Sequence, residues 1–341
     1  MNGLTMPGLP SLVKVATTAR LHMGFLDLNG GLGRRFGSIG LALDQPATSL
    51  KAWRADGFAA TGPGAQRALA CARDFAERAG LSGGAHLKLE EAIPEHAGLG
   101  SGTQLALAVG VALARLYGLP LSAREIAAVT ARGARSGIGI GAFEQGGLLL
   151  DGGRGAQTVV PPLVARMDFP ESWCVLLIFD QSATGVHGGH EIEAFRTLPE
   201  FPPGVSADLC RRVLMQALPA VVEQNLPAFG EAIHEIQCRV GDHFAAVQGG
   251  GRYTSAAVSS VLQWLREQGV VCVGQSSWGP TGFAVLENES VALALQKKLE
   301  TRYAGHGQLS FMQCRARNQG SEVQQFYEDG SVHAEHTNSH C

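Results

Sequence analysis

The stretch "PEHAGLGSGTQLALAVGVALARL", residues 94–116, runs from a glycine-rich loop straight into a long helix of small apolar side chains. Glycines leave the backbone N–H groups of such a loop unobstructed, and the positive end of a helix attracts anions. The stretch therefore favours a bound phosphate oxygen. The alternative is a tight turn before a buried helix, with Ser101 as its N-cap. The pattern matches neither the GxxxxGK[ST] loop nor GxGxxG after a strand.

Length and composition narrow the class of protein. The chain has 341 residues, 45% of them hydrophobic, which predicts two domains with full cores. A net charge of −3 argues against nucleic-acid and membrane-surface partners. The seven scattered cysteines, without a C-x-x-C pair, predict reduced thiols in a cytoplasmic protein. We expect no signal peptide and no membrane span. The oligomeric state stays open, a homodimer included.

The order of elements predicts an α+β protein of two domains. The pair Pro161–Pro162 marks the boundary, so we expect domains at 1–165 and 166–320. The second reads strand, helices, strand, strand, helix, strand, which is the βαββαβ order of a ferredoxin-like fold. The last residues, 321–341, are polar and unpatterned, and they predict a disordered tail.

Several motifs resemble known families. "PEHAGLGSGT" resembles the central phosphate loop of the GHMP kinase superfamily, and "GQSSWGPTGFAVL" (274–286) resembles its C-terminal glycine loop. "ARLHMGFLDLNGGLGRRFGSIGLALDQP" (19–46) and "RSGIGIGAFEQGGLLLDGG" (135–153) are similar to the β-ribofuranosylaminobenzene 5'-phosphate synthase family. The resemblance covers most of residues 11–318. It implies a GHMP kinase-like fold with an N-terminal α+β domain and a ferredoxin-like C-terminal domain.

The resemblance also implies a reaction. Phosphoribosyl pyrophosphate and 4-aminobenzoate (or 4-hydroxybenzoate) would give a ribosylated aromatic phosphate, CO2 and pyrophosphate, in tetrahydromethanopterin biosynthesis. We expect Mg²⁺ and no organic cofactor. Two other interpretations stay open: an ATP-dependent GHMP small-molecule kinase, and a non-catalytic GHMP-type ligand sensor.

The donor sugar needs two anion sites. The glycine loop predicts one, and Arg20, Arg34 and Arg35 predict the other, because guanidinium groups bind phosphate or carboxylate bidentately. For Arg34 and Arg35 a solvated loop pair is the alternative. His22 is expected to orient a phosphate or transfer a proton, unless it is an ordinary strand histidine. The predicted phosphate-binding residues are Gly98, Leu99, Gly100, Ser101, Gly102, Thr103 and Arg34.

Carboxylates and the last glycine loop complete the predicted site. Glu144, with Ser101, is the candidate Mg²⁺ ligand, although it can equally pair with Arg132 or Arg135. Asp27 and Asp151 are the other candidate carboxylates. Ser277, Trp278 and Gly279 are predicted to bind substrate, with Trp278 stacking on the aromatic acid or anchoring the turn. The predicted catalytic residues are Arg20, His22, Asp27, Arg35 and Glu144.

Overall fold

A computed structural model of the chain describes residues 8–183, 185, 193 and 195–337. The strands, in chain order, are β1 (Leu12–Asp27), β2 (Phe36–Ala55), β3 (Ala59–Thr61), β4 (Gly84–Glu91), β5 (Leu148–Asp151), β6 (Leu163–Met167), β7 (Cys174–Asp180), β8 (Cys272–Gln275), β9 (Gly282–Leu286), β10 (Leu309–Arg315), β11 (Glu322–Phe326) and β12 (Val332–His336). The α-helices are α1 (Ala65–Ala79), α2 (Ser101–Leu116), α3 (Ala123–Val129), α4 (Ile138–Glu144), α5 (Pro203–Arg212), α6 (Leu218–Val222), α7 (Leu226–Phe244), α8 (Ala256–Glu267) and α9 (Glu289–Arg302). A π-helical turn, Val213–Ala217, joins α5 to α6.

The first sheet is built on the long antiparallel pair of β1 and β2. Its order is β12-β11-β1-β2-β4-β3, and β5 extends the other end of β2 and pairs with β6. In the first half of β1 buried and half-buried residues alternate, as expected for a strand with one face in a core. From Thr17 onward nearly every residue is buried, because this half lies between the two parts of the molecule.

Two irregularities in β1 lie beside residues that the sequence predicts in the site. The register with β2 shifts between Thr18 and Arg20 and again between His22 and Gly24. A shift of this kind changes the face to which the following side chain points, and it is common next to active sites. These shifts accompany an arginine and a histidine that both face one cleft.

The second sheet confirms the ferredoxin-like prediction. Its order is β10-β7-β9-β8 with all pairs antiparallel, and its elements follow the predicted βαββαβ sequence. Leu176 and Ile178 pack with α8 and α9 on one face. Val175 and Leu177 belong to the core shared with α7 and β1 on the other. The fold class is therefore the predicted α+β arrangement.

Helix α2 is the central buried helix of the first half. Its residues from Gln104 to Ala114 are all buried, and they pack with α1, α3 and the first sheet. Gln104 is the polar exception, and its side-chain amide donates to the Gly139 carbonyl at 2.7 Å. Within the described part of the chain, α2 and the other helices are not both long and apolar enough to cross a membrane.

The ends of the predicted domains need correction. Strand β6 spans the expected boundary at 165 and pairs with β5, so it belongs to the first sheet. The expected disordered tail is wrong for residues 322–336, which form the β11–β12 hairpin on the edge of β1. In this hairpin Val323 alone is completely buried, at 0% exposure. Because a single buried side chain makes no repeating apolar pattern, the sequence does not predict the hairpin. Residues 338–341 lie outside the described residues.

Candidate active site

The glycine loop before α2 adopts a left-handed backbone. Gly98 and Gly100 have φ of 80° and 83°, where a side chain would be strained. Helix α2 begins at Ser101, with Gly100 as its N-cap and no side-chain cap. The alternative of a serine-capped turn is therefore wrong. The first N–H groups of an α-helix have no acceptor one turn earlier in the helix. At the start of α2 the N-cap residue is a glycine, so no N-cap side chain accepts hydrogen bonds from them.

This loop touches the C-terminal glycine loop of the second half. The Gly98 carbonyl accepts hydrogen bonds from Arg20 Nη1 at 2.5 Å and from Ser276 Oγ at 2.8 Å. A Cβ added at Gly98 would lie 2.3 Å from the Ser276 carbonyl oxygen, and one at Gly279 would lie 2.3 Å from the Ala97 oxygen. The two loops approach this closely only because both are glycine at the contact.

The three substrate-binding residues predicted on the C-terminal loop all face the same cleft. Ser277 has φ of 57°, and its N–H donates to the His22 carbonyl at 3.0 Å. Trp278 is 5% exposed, stacks on Phe195 at 5.0 Å and meets Phe244 edge-on at 4.6 Å. Trp278 therefore anchors the loop while it also forms part of the cleft wall.

The cleft where the loops meet has a volume of 340 Å³. It combines the end of β1, the glycine loop, the loop before α4 and the C-terminal glycine loop. The predicted residues that line it are Arg20, His22, Gly98, Thr103, Ser277, Trp278 and Gly279. The others are Phe25, His96, residues 131–136 and Gly185. Among these described lining residues none carries a carboxylate.

Guanidinium groups dominate the charge of the cleft. Arg132 and Arg135 line it together with Arg20. A Cβ added at Gly102 would lie 3.6 Å from Arg132 Nη1 and 3.4 Å from Arg67 Nη2. Helix α2 thus begins among several cations, an arrangement that suits a multiply charged phosphate ester. The sequence prediction considered Arg132 and Arg135 only as partners of Glu144. The feature of the sequence that could have predicted their role is that both flank a glycine shortly before a helix.

Three predicted residues lie elsewhere, in the turn that joins β1 to β2. Asp27 Oδ1 accepts from the N–H groups of Asn29 and Gly30, both at 2.9 Å. Arg34 donates to the carbonyls of Gly152 and Gly153 at 2.7 and 2.8 Å, and Arg35 donates to its own turn. Asp27 follows Arg20 by seven residues, a separation of roughly 20 Å along a strand. The turn borders a separate, mostly apolar cavity of 340 Å³.

Glu144 is buried near Arg124 rather than in the cleft. Its Oε2 lies 3.5 Å from Arg124 Nη2, and its side chain is 7% exposed. Burial raises the pKa of this carboxyl, and the nearby guanidinium opposes that shift. The suggested pairing with Arg132 or Arg135 is therefore wrong. Within the described residues no group of three His, Cys, Asp or Glu side chains is arranged to hold a metal ion. Neither Glu144 nor Ser101 is among the residues that line the cleft, and an Mg²⁺ ion held by the two of them stays a prediction.

Asp151 supports the arginine-bearing loop from outside the cleft. Its Oδ2 accepts from the Gly137 N–H at 2.9 Å and from Ser136 Oγ at 3.1 Å, and Ser38 donates to the same oxygen. Burial raises the pKa of this carboxyl although all these hydrogen bonds favour its charged form. The carboxylate thereby holds the segment that carries Arg132 and Arg135 against the first sheet.

His22 is the most deeply buried ionisable group at the cleft, at 3% exposure. Burial, with the neighbouring Arg20 charge, lowers its pKa to about 3, so the ring is neutral at physiological pH. Its ring meets Phe25 edge-on at 4.6 Å, and its backbone N–H donates to Ser276 Oγ at 3.1 Å. Across the described chain, Nε2 has no hydrogen-bond partner.

Comparisons with known proteins identify the class to which this fold belongs. The GHMP kinases N terminal domain matches residues 66–147, and the GHMP kinases C terminal domain matches residues 217–305. Galactokinase of Lactococcus lactis, solved in complex with galactose, superposes with a TM-score of 0.66 at 15% identity, covering 91% of this chain and 94% of its own. At that identity the likeness concerns the fold alone. The fold and its paired glycine loops define a protein of the GHMP kinase class.

Two curated relatives narrow the class. The β-ribofuranosylphenol 5'-phosphate synthase of Archaeoglobus fulgidus is 34% identical over 328 residues, covering 92% of this chain and 100% of its own. The protein of the same name from Methanocaldococcus jannaschii is 32% identical over 338 residues, covering 91% and 99%. The chain belongs to this synthase family, a family of transferases, and the predicted resemblance is confirmed. The relatives' name specifies a phenol product where the sequence prediction named the aniline.

Proposed function

We propose that the protein joins phosphoribosyl pyrophosphate to a 4-substituted benzoate, 4-hydroxybenzoate or 4-aminobenzoate, and releases CO2 and pyrophosphate. The product would be an aryl riboside 5-phosphate on the route to tetrahydromethanopterin. The family supports the reaction type, because its relatives are named for a ribofuranosylphenol phosphate. The two substrates and the pathway are our inference.

One observation carries the proposal: the cleft is lined by both cations and aromatic rings. Arg20, Arg132 and Arg135 line it together with Phe25 and Trp278. A sugar with phosphate at both ends needs the first group, and a benzoate ring needs the second.

The reaction breaks two bonds and forms one. The ring carbon that bears the carboxylate attacks the anomeric carbon, while pyrophosphate leaves with the electron pair of the C–O bond. The 4-substituent supplies electron density to the attacking carbon. The bond to the carboxylate then breaks, CO2 leaves, and its electron pair restores the aromatic ring. No proton is gained or lost by the ring in the net reaction.

In the proposed reaction the residues of the cleft stabilise negative charge and transfer no proton. Negative charge grows on the departing pyrophosphate, and preorganised guanidinium groups stabilise it most where water is excluded. We assign this role to Arg132 and Arg135, with Arg20 fixed against the glycine loop through the Gly98 carbonyl. His22, buried between Arg20 and Phe25, is neutral, so the positive charge of the cleft comes from the arginines.

Mg²⁺ and compartment remain proposals. We expect Mg²⁺ only as part of the pyrophosphate-bearing substrate, since the described lining residues supply no carboxylate ligand. We place the reaction in the cytoplasm, where free thiols such as buried Cys174, Cys272 and Cys314 stay reduced.

The decisive experiment uses carboxyl-labelled 4-hydroxybenzoate and 4-aminobenzoate with the purified protein, phosphoribosyl pyrophosphate and Mg²⁺. We expect labelled CO2 only when an aromatic acid and the donor are both present, together with one equivalent of pyrophosphate. ADP production from ATP and small alcohols, without CO2, would instead identify a GHMP kinase. Tight binding of the donor with neither product would identify a ligand sensor.

A further inference from the structure

The wall between the cleft and a second cavity holds two buried nitrogens that have no partner in the described chain, His22 Nε2 and Trp278 Nε1. Their side chains are 3% and 5% exposed, and both residues line the cleft as well as a small inner cavity of 30 Å³. An unpaired buried polar atom costs about 1–3 kcal/mol, so such atoms ordinarily meet a ligand or a water molecule.

The chemistry of His22 defines what its free nitrogen can bind. The ring bonds its own backbone carbonyl, and since Nε2 has no partner we assign that hydrogen bond, and the ring proton, to Nδ1. The ring is neutral because it is buried beside Arg20. Nε2 therefore presents a lone pair and accepts a hydrogen bond. A carboxylate or a fully ionised phosphate cannot donate one, so the hydroxyl and amino groups of the substrates are the candidate partners.

Two amide side chains of the inner cavity, Gln237 and Gln275, are already engaged. Gln237 Nε2 donates to the carbonyls of Met23 and Gln275, at 2.6 and 3.1 Å. Gln275 Nε2 donates to Gln248 Oε1 and to the Ser277 carbonyl, at 3.2 and 2.9 Å. None of these amides bonds to His22 Nε2, which is therefore available to a ligand in the cleft.

We propose that His22 Nε2 accepts a hydrogen bond from the 4-hydroxyl or 4-amino group of the aromatic acid, whose ring lies against Phe25 and Trp278. The proposal rests on the proposed function and assigns a positioning and specificity role within it. In this orientation the carboxylate and the attacking carbon point toward the arginines. The 4-substituent becomes a stronger donor as its electrons move into the ring, so the contact strengthens as the reaction proceeds.

The test compares 4-hydroxybenzoate with 4-fluorobenzoate, which is close in size but cannot donate a hydrogen bond. Dissociation constants come from calorimetry without the donor sugar, so the result does not depend on turnover. For the unmodified protein we expect 4-hydroxybenzoate to bind about tenfold more tightly, the value of one net hydrogen bond. In His22→Leu the two ligands should bind within about twofold of each other. His22→Gln keeps an acceptor and should restore much of the difference.

Each outcome has a defined meaning. Equal binding of the two ligands to the unmodified protein would overturn the proposal without any variant, even if His22→Leu failed to fold. An unchanged ratio in folded His22→Leu would also overturn it and would assign Nε2 to a water in the inner cavity. Failure of CO2 release, with the selectivity and its loss in His22→Leu intact, would reject the proposed reaction while retaining this binding role.

Discussion

Two glycine-rich loops of this chain lie beside arginines, and one of them, the loop before α2, lines the cleft assigned to the substrates. At the start of α2, guanidinium groups surround a loop whose helix amides are not capped by a side chain. In the β1–β2 turn, Arg34 and Arg35 donate to backbone carbonyls and Asp27 caps the turn itself. Both loops are rich in glycine, but the polar groups of the turn are occupied by backbone contacts: Arg35 binds the turn itself, and Arg34 binds the carbonyls of Gly152 and Gly153. Composition near a glycine loop therefore does not identify an anion site.

The largest expected difference between the two segments concerns their glycines. In Gly98→Ala the new Cβ would lie 2.3 Å from the Ser276 oxygen, at a φ of 80°. We expect the free energy of unfolding to fall by about 3 kcal/mol or more, from overpacking and backbone strain together. Gly33, in the turn, has φ of 79° and open space around it. Gly33→Ala should cost only about 1 kcal/mol. Equal losses in denaturant unfolding would contradict the close contact of the two loops.

The arginines provide the second comparison. Arg135→Gln should lower kcat/KM for phosphoribosyl pyrophosphate by about 100-fold, because it removes a charged hydrogen-bond donor from the anion site. Arg34→Gln removes the same group outside the cleft, and its activity should stay within about threefold. Steady-state rates of CO2 release measure both. Similar losses in the two variants would show that the turn reaches the substrate after all.

His22 gives the stability of the protein a pH dependence. Its folded-state pKa, about 3, lies below its ordinary value of 6.5, so the unfolded chain binds the proton more tightly. The stability from this group is complete above pH 6.5 and is lost as the pH falls toward 3. Within that window its contribution to the slope approaches about 1.4 kcal/mol per pH unit. Urea unfolding across pH 4–7 should show a shallower slope for His22→Gln. A slope identical to that of the unmodified protein would place the ring in a more exposed position.

The smallest effect is expected for Glu144. Because its carboxylate pairs with Arg124 away from the cleft, Glu144→Gln should leave kcat and the Mg²⁺ dependence of the rate within about threefold. Replacing one member of this buried pair should still change stability, which thermal unfolding reports separately. A shift of the Mg²⁺ midpoint by an order of magnitude would restore Glu144 as a ligand.

Local patterns were enough to predict much of the fold. The alternation in "HLKLEEAIP" and the apolar run after Ser101 specify β4 and α2, because a buried face must repeat with the period of its element. The edge hairpin at 322–336 escaped prediction because β12 is almost entirely exposed and only one side chain of the hairpin, Val323, is completely buried. Strand β6 escaped because none of its residues is fully buried, so no buried face repeats along it, while the prolines before it suggested a boundary.

Half of the candidate site was also predictable. Motif positions identified Arg20, His22, the glycine loop and residues 277–279, all of which meet at or beside the cleft. Asp27 and Arg35 were predicted from the N-terminal motif, and Glu144 was predicted because GHMP kinases have an acidic residue at about that position. The first two lie away from the cleft, at and beyond the end of β1, and Glu144 is the last residue of α4. Arg132 and Arg135 joined the site because Asp151 holds their loop against the first sheet.

Most of the helices and strands, the two glycine loops and the family could be predicted from the sequence, because these follow from short-range periodicity and from motifs that stay together along the chain. The tertiary structure alone decided which charges share the cleft. A guanidinium group acts on a phosphate only within a few ångströms. That distance depends on how two sheets, α2 and a buried carboxylate place loops more than a hundred residues apart.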